Sequence, residues 1–373
     1  MRFANIYNLG VKELRSLARD PIMVVLILYA FTFSVYTSAT AMPETLNEAP
    51  ISVVDEDRSP LSARIIDGFM PPYFSPPQLI THQEMDARMD AGYDTFALNI
   101  PPDFQRDLLA GKAPSIQLNV DATRMSQAFT GSGYIQGIIN TEVQEFVAGH
   151  RGQSEPPVDL VLRNSFNQTL DQSWFGAIVS VIDNVTMLSI ILAGAALIRE
   201  REHGTIEHLL VMPVTPFEIM AAKVWSMGLV VFVAAGFSLT VIVQGLLQVP
   251  IAGSVALFLV GATLHLFACT ALGILLATVA RSMPQFGLLM ILVLLPLQML
   301  SGGSTPRESM PELVQWVMLG APTTHYIMLG QAILFRGAGF AVVWPQLLAL
   351  AAIGAGLFGL SLAQFRKAMA SMG

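Results

Sequence analysis

Long apolar runs fill the second half of the chain, and one more stands near its start. A bilayer core about 30 Å thick takes roughly 20 apolar residues of helix. By that measure six runs predict membrane-spanning helices, at residues 22–41, 174–198, 224–247, 253–280, 286–300 and 340–364. The fifth is short, contains Pro296, and has room to begin as early as Ser282. A further run, 313–335, has no Lys, Arg, Asp or Glu, but Gly320 and Pro322 break it and Thr323, Thr324 and His325 add polar groups there. Irregular backbone at membrane depth must be covered by protein or line a cavity. The pattern therefore predicts a re-entrant element over about 301–336, in which two half-helices enter and leave the same face.

Residues 42–173 show a different rhythm. Period-two alternation predicts strands at 51–55, 95–100 and 115–121, and helical spacing predicts helices at 62–69, 84–90, 103–109 and 126–149. Strands alternating with helices predict a mixed α/β domain between the first and second spans. Pro71-Pro72 and Pro76-Pro77 punctuate a loop, and residues 153–157 lead back towards the membrane. Ahead of the first span, residues 5–19 place Ile6, Leu9, Leu14 and Leu17 on one helical stripe with basic residues elsewhere. That stripe predicts an amphipathic helix on the membrane surface over residues 1–21. A plain extension of the first span is the alternative. Residues 38–41 look like a signal-cleavage site, but the leader before the apolar run is long for one.

Charge sets the orientation. Lys12, Arg15 and Arg19 precede the first span, Arg199, Arg201 and Lys223 lie between the second and third, Arg281 follows the fourth, and Arg366 and Lys367 follow the sixth. Six spans with both termini inside put all of them on the cytoplasmic side, as the positive-inside rule asks. Counting 313–335 as a seventh span would put Arg366 and Lys367 outside. The domain at 42–173 then lies outside the cytoplasm, with 8 Lys/Arg against 18 Asp/Glu. Its acidity suits a solvated surface, or a docking face for an external partner.

Composition agrees with this class. The 373 residues are 53% hydrophobic and 13% charged, where soluble proteins carry about 25% charged residues. A net charge of −7 excludes a nucleic-acid binder. A single cysteine, Cys269, excludes a disulfide framework and any CxxC metal site. No GxxxxGK[ST] occurs, so the chain has no P-loop of its own, and His203 and His208 miss the i, i+4 spacing of paired metal ligands.

The most informative stretch is 197–223, LIREREHGTIEHLLVMPVTPFEIMAAK. Gly204 is placed to end one helix and Thr205 to cap a short one running over about 204–213. Thr215-Pro216-Phe217-Glu218 is then a capping box with proline at the first helical position. A charged helix between two spans is shaped as a lever for a cytoplasmic partner, or it is an ordinary charged interface. Beyond the fifth span, LSGGSTPRESMPELVQWV is followed by APTTHY. There Thr305-Pro306-Arg307-Glu308 reads as a second capping box, starting a helix that, with the broken run, would gate the outer end of a pathway.

Together, RExEHGTxExLLxxPVTPxE and S-G-x-x-x-P-x-x-x-M-P resemble the coupling and outer elements of ABC-2-type transport permeases, and the order of elements is similar throughout. Ala222-Lys223 departs from the Gly-Lys of many relatives. The resemblance implies an exporter subunit that forms a homo- or heterodimer in the inner membrane. It also implies an ABC ATPase partner on a separate chain, with ATP and Mg on that partner and no cofactor here. A periplasmic adaptor of the HlyD kind is a further implied partner, and the cargo class is drug, lipid or another amphiphile. Carried onto this sequence, the ATPase-coupling residues are Glu200, Arg201, Glu202, Gly204, Thr205, Glu207, Leu210 and Pro213.

Polar residues inside spans are expensive, and each is a candidate for the pathway. Asp183 and Asn184 fall mid-span in the second helix, His265 in the fourth and Gln298 near the end of the fifth. Gly302, Gly303, Pro306, Met310 and Pro311 are the outer candidates, matching the second motif. Two other functions stay open at this point. One is a proton-coupled secondary transporter relaying through Asp183, although internal repeats are lacking. The other is a non-transporting receptor whose outer domain binds a ligand.

Overall fold

Arg19 and Asp20 end the first helix, and Pro21 starts the second with the Asp20 side chain accepting from the Met23 amide. This break separates α1 (Phe3–Ala18) from α2 (Pro21–Thr40). The computed structural model describes residues 2–40, 46, 48–123, 125–149, 172–202, 213–280, 282–303, 305 and 307–370. It divides into a helical unit, residues 1–41 and 164–373, and an α/β unit, residues 42–163.

In the α/β unit the elements are β1 (Ile51–Asp55), α3 (Pro60–Asp67), β2 (Gln78–Leu79), α4 (His82–Asp90), β3 (Phe96–Ile100), α5 (Phe104–Leu109), β4 (Gln117–Val120) and α6 (Met125–Ala148). The sheet order is β2-β1-β3-β4, with β1 parallel to β2 and β3 and β4 antiparallel to β3. Alternation along β1 explains its burial on both faces. Ile51 and Val53 pack with Leu61, Ile65 and Ile135 on one side, and Val54 packs with Met85 on the other. α6 comes so close to β3 at Gly131 that an added Cβ would lie 2.2 Å from the Phe96 ring. The two-residue strand β2 is too short to carry a periodic signal.

The helical unit continues with α7 (Gln172–Glu202), α8 (Pro216–Leu246), α9 (Val255–Val279), α10 (Met283–Met299), α11 (Glu312–Met318), α12 (Pro322–Gly330, then a π-helical turn Gln331–Phe335) and α13 (Phe340–Ala370). Five of these, α2, α7, α8, α9 and α13, are long and apolar enough to cross a membrane, and α10 is a shorter apolar helix of 17 residues. α7 is central: 83% of its apolar window is buried, against 28% for α2 and 22% for α13. The capping box at Thr215 starts the same helix that carries the third apolar run, so that helix begins well before residue 224.

Side-chain pairs fix the helix directions. Asp20 meets Arg199 at 3.2 Å and Ser38 donates to the Gly176 carbonyl, so α2 runs opposite to α7. Thr186 meets His265, and Arg201 reaches Ala277 and Ala280, so α9 runs with α7. Phe286 packs on Gly194 while Gly303 reaches Val179, so α10 runs back. Phe358 stacks on Phe267 and Phe365 packs with Ile274, so α13 runs with α9. α7 and α9 pack closely at Gly273, where a Cβ would sit 2.5 Å from the Ile190 carbonyl oxygen. Small residues at such crossings let helix backbones pack by van der Waals contact.

The broken run forms a hairpin that turns inside the bundle. Leu329 lies on Gly261, and Ile333 on Gly253, so α12 lies antiparallel along the first half of α9. Met318 and Ala321, at the turn, pack with Leu272, Val293 and Leu297. The two ends of the hairpin meet, because Gln331 donates to the Gly302 carbonyl at 3.4 Å. One expectation is corrected here. Thr305-Glu308 does not open a helix: Arg307–Ser309 is a single 3-10 turn, and α11 starts at Glu312 after Pro311. The extended Pro311 backbone interrupts the helical path between them.

Candidate functional site

Residues 199–202 and 213–223 bring several helix ends together. Lys223, in the second turn of α8, is buried between two carboxylates, 2.8 Å from Glu13 of α1 and 2.8 Å from Glu200 of α7. Lys12 adds a 2.7 Å bond to Glu200 from the more exposed side. Buried charges persist only when paired in this way. Burial holds the Glu13 carboxyl above its usual range, and the Lys223 ammonium beside it pulls the other way.

The neighbouring residues tie further ends to this point. Arg201 donates to the Ala277 carbonyl at 3.3 Å and to that of Ala280, capping the end of α9. Glu202 accepts from the Met283 amide at 2.9 Å, at the start of α10, where a carboxylate also suits the helix dipole. Glu218 closes its box with Thr215 and accepts from the Arg2 amide at 2.8 Å. Asn5 reaches the Pro213 carbonyl at 3.4 Å. Trp225 donates to the Ile6 carbonyl at 3.1 Å, and its ring lies over Gly10 with room for no side chain there.

Of the expected coupling residues, Glu200, Arg201, Glu202 and Pro213 are thus described, and the first three are bonded within the bundle. Glu200 turns its carboxylate inward to Lys12 and Lys223. Gly204, Thr205, Glu207 and Leu210 lie outside the described residues, as does the helix expected over 204–213, apart from Pro213. The sequence reading missed the partnership of Glu13 and Lys223. Its signals were a lysine that is the one cation in the apolar helix α8 and a glutamate four residues before Leu17, on the same face of α1.

The expected pathway residues occupy a different level of the bundle. Asn184 donates to the Ala30 carbonyl at 2.7 Å, where a π-helical turn, Ala30–Ser34, interrupts the α-helical ladder of α2. His265 is fully buried, 2.8 Å from Thr186, and stacks on Tyr326 at 4.3 Å between centroids. Asp183 has one carboxylate oxygen buried without a hydrogen-bond partner among the described residues.

Outer candidates surround the hairpin ends. Gly302 adopts φ +96°, which only glycine takes readily, and Gly303 fits between Ile327 and Val179. The Gln298 carbonyl accepts from Ser301, and the Met310 carbonyl accepts from Gln315 at 2.8 Å. Pro311 precedes α11, and Pro306 lies outside the described residues. The structure therefore separates the candidates into a charged junction at one end and a polar layer beneath the hairpin.

The family described as ABC-2 family transporter protein matches residues 21–363. The chain is 63% identical to the inner membrane transport permease YhhJ of Escherichia coli K12 over 368 residues, 99% of this chain and 98% of that one. It is 27% identical to the probable multidrug ABC transporter permease YbhR of the same strain, covering 98% of this chain and 99% of YbhR. A third relative, the probable multidrug ABC transporter permease YbhS of that strain, is 25% identical over 90% of each chain.

Proposed function

The chain belongs to the ABC-2 transporter family, and on that premise we propose that it is the permease subunit of an ATP-driven exporter of amphiphilic molecules. In this reading all six apolar helices, α10 included, span the inner membrane. The charged junction faces the cytoplasm with both termini, and the α/β unit lies on the outer side. An ABC ATPase on a separate chain engages residues 203–212 and supplies the ATP and Mg chemistry. A second permease protomer completes the pathway, an HlyD-like adaptor is a partner for the α/β unit, and the hairpin of α11 and α12 gates the outer end.

The observation that carries the reading is the junction itself. Residues 199–202 and 213–218 bracket the proposed contact, and their bonds reach α1, α9 and α10. A displacement applied between these brackets is delivered to several helices, because each connection is a direct bond and none is a flexible loop. The amphiphilic substrate class is supported by two relatives named probable multidrug ABC transporter permease.

The test is purification of the tagged permease from its native membrane in mild detergent, with mass spectrometry and an ATPase assay. Wild type is expected to bring down an ABC ATPase, and Glu207→Arg to lose it while still inserting. Transport by the purified chain without any ATPase would reject the reading in favour of a proton relay through Asp183.

A further inference from the structure

α1 precedes the residues over which the family matches, yet it forms one wall of a cleft at the charged junction. The cleft has a volume of about 230 Å³ and lies between α1, the start of α2, the last turns of α7, and α8. Its apolar lining includes Leu17, Met23, Leu192 and Met227, and its polar lining is Lys12, Ser16 and Arg199 together with the carboxylates Glu13 and Glu200. Polarity thus changes from charged to hydrocarbon across one small opening.

The exposed face of α1 beside this opening is basic. Lys12, Arg15, Ser16 and Arg19 recur at i, i+3, i+4 and i+7, so they share one exposed face of α1. Arg199 approaches from the α7 side. The carboxylates nearby are already engaged: Glu13 with Lys223, Glu200 with both Lys223 and Lys12, and Asp20 with Arg199. Within the lining, Lys12 and Arg199 balance Glu13 and Glu200; the positive excess comes from Arg15 and Arg19, exposed on α1 beside the opening.

We propose that this cleft binds the headgroup of an anionic phospholipid, its phosphate held by Lys12, Ser16 and Arg199 and its glycerol end resting on the apolar lining. Charge-assisted bonds to phosphate suit these side chains, and basic residues on a surface helix beside a span are the pattern that attracts anionic lipid. The inference rests on the reading that the junction faces the cytoplasmic leaflet. It gives α1 a second anchor besides the bonds to α7 and α8, through a lipid and independent of the ATPase.

The test uses the full-length chain in detergent. Phosphatidylglycerol is expected to be retained in native mass spectrometry and to raise the thermal midpoint, and phosphatidylcholine to do neither. Lys12→Gln with Arg199→Gln should weaken retention about 25-fold, from about fivefold per cation. Because those two residues also pair with carboxylates, Arg15→Gln with Arg19→Gln serves as a second variant that should weaken retention in the same direction. Equal retention of both lipids, unchanged retention in both variants, or equal stabilisation by inorganic phosphate would each overturn the proposal. An impermeant maleimide on Lys367→Cys tests the orientation separately, the native Cys269 being buried. Labelling from outside the cell overturns the cytoplasmic reading and the leaflet assignment with it. Labelling only from inside, with no lipid preference, overturns the lipid site alone.

Discussion

Lys223 and Glu200 stand 2.8 Å apart where α7 and α8 approach, and both are buried. The pair closes the base of a loop whose middle, residues 203–212, is the proposed ATPase contact. With Glu13 on the other side of the lysine, the same cation also fastens α1. One lysine therefore ties α1, α7 and α8 together at a single point.

Removing the cation should show how much the fold depends on it. Lys223→Met leaves two buried carboxylates facing each other, and breaking such an arrangement costs about 3–5 kcal/mol. The purified variant is expected to melt far below wild type. Lys223→Met combined with Glu13→Gln and Glu200→Gln should recover most of the loss, and an unrecovered triple variant would contradict electrostatic pairing as the cause.

The pH response of Glu13 has a definite sign. Its carboxyl is held above the usual range, chiefly by burial. The stability it contributes is then fully present below the unfolded value and lost as pH rises through the folded one. Glu13→Gln resembles the protonated form, so its thermal midpoint should gain on wild type as pH rises from 4 towards neutrality. Parallel melting curves across that range would show that Lys223 fully offsets the burial.

Gly10 offers a steric test of α1. A Cβ there would lie 2.1 Å from the Trp225 ring. Gly10→Leu is expected to lift α1 off α8 at a cost of about 1–3 kcal/mol, the usual range for overpacking. Limited proteolysis near Arg15 and Arg19 should then cut the variant and spare wild type. Resistance equal to wild type would mean that α1 is held elsewhere.

Tyr326 separates shape from hydrogen bonding under the hairpin. Its ring is buried between Phe258 and His265, and its hydroxyl has no partner among the described residues. Tyr326→Phe should therefore be neutral or stabilising by up to about 1 kcal/mol, while Tyr326→Ala should cost about 3–5 kcal/mol. A marked loss of thermal stability in Tyr326→Phe would reveal a partner for the hydroxyl in the assembled protein.

Much of this architecture is written in local periodicity. The strands at β1, β3 and β4 and the helices from α3 to α6 follow from alternation and capping that act within a few residues. The broken helix at Gly320 and Pro322 was legible for the same reason. Helix ends were less so: α7 runs on to Glu202 because Arg201 and Glu202 satisfy neighbouring helix ends, a benefit invisible to a hydrophobicity count. The bond between Glu13 and Lys223 joins residues far apart in sequence. Nothing local announces it beyond a charge placed where a leucine would otherwise fit. Glu200 illustrates the limit most clearly, since its motif marks it as a surface contact and its geometry turns it inward.

Lys223 is synthesised 210 residues after Glu13. At ribosomal speeds of roughly 5–20 residues per second, that interval lasts about 10–40 s. Throughout it Glu13 has no Lys223 to meet, because the α/β unit and α7 are made first. The N-terminus is thus among the first parts translated, yet its ionic seat exists only once α8 has been made.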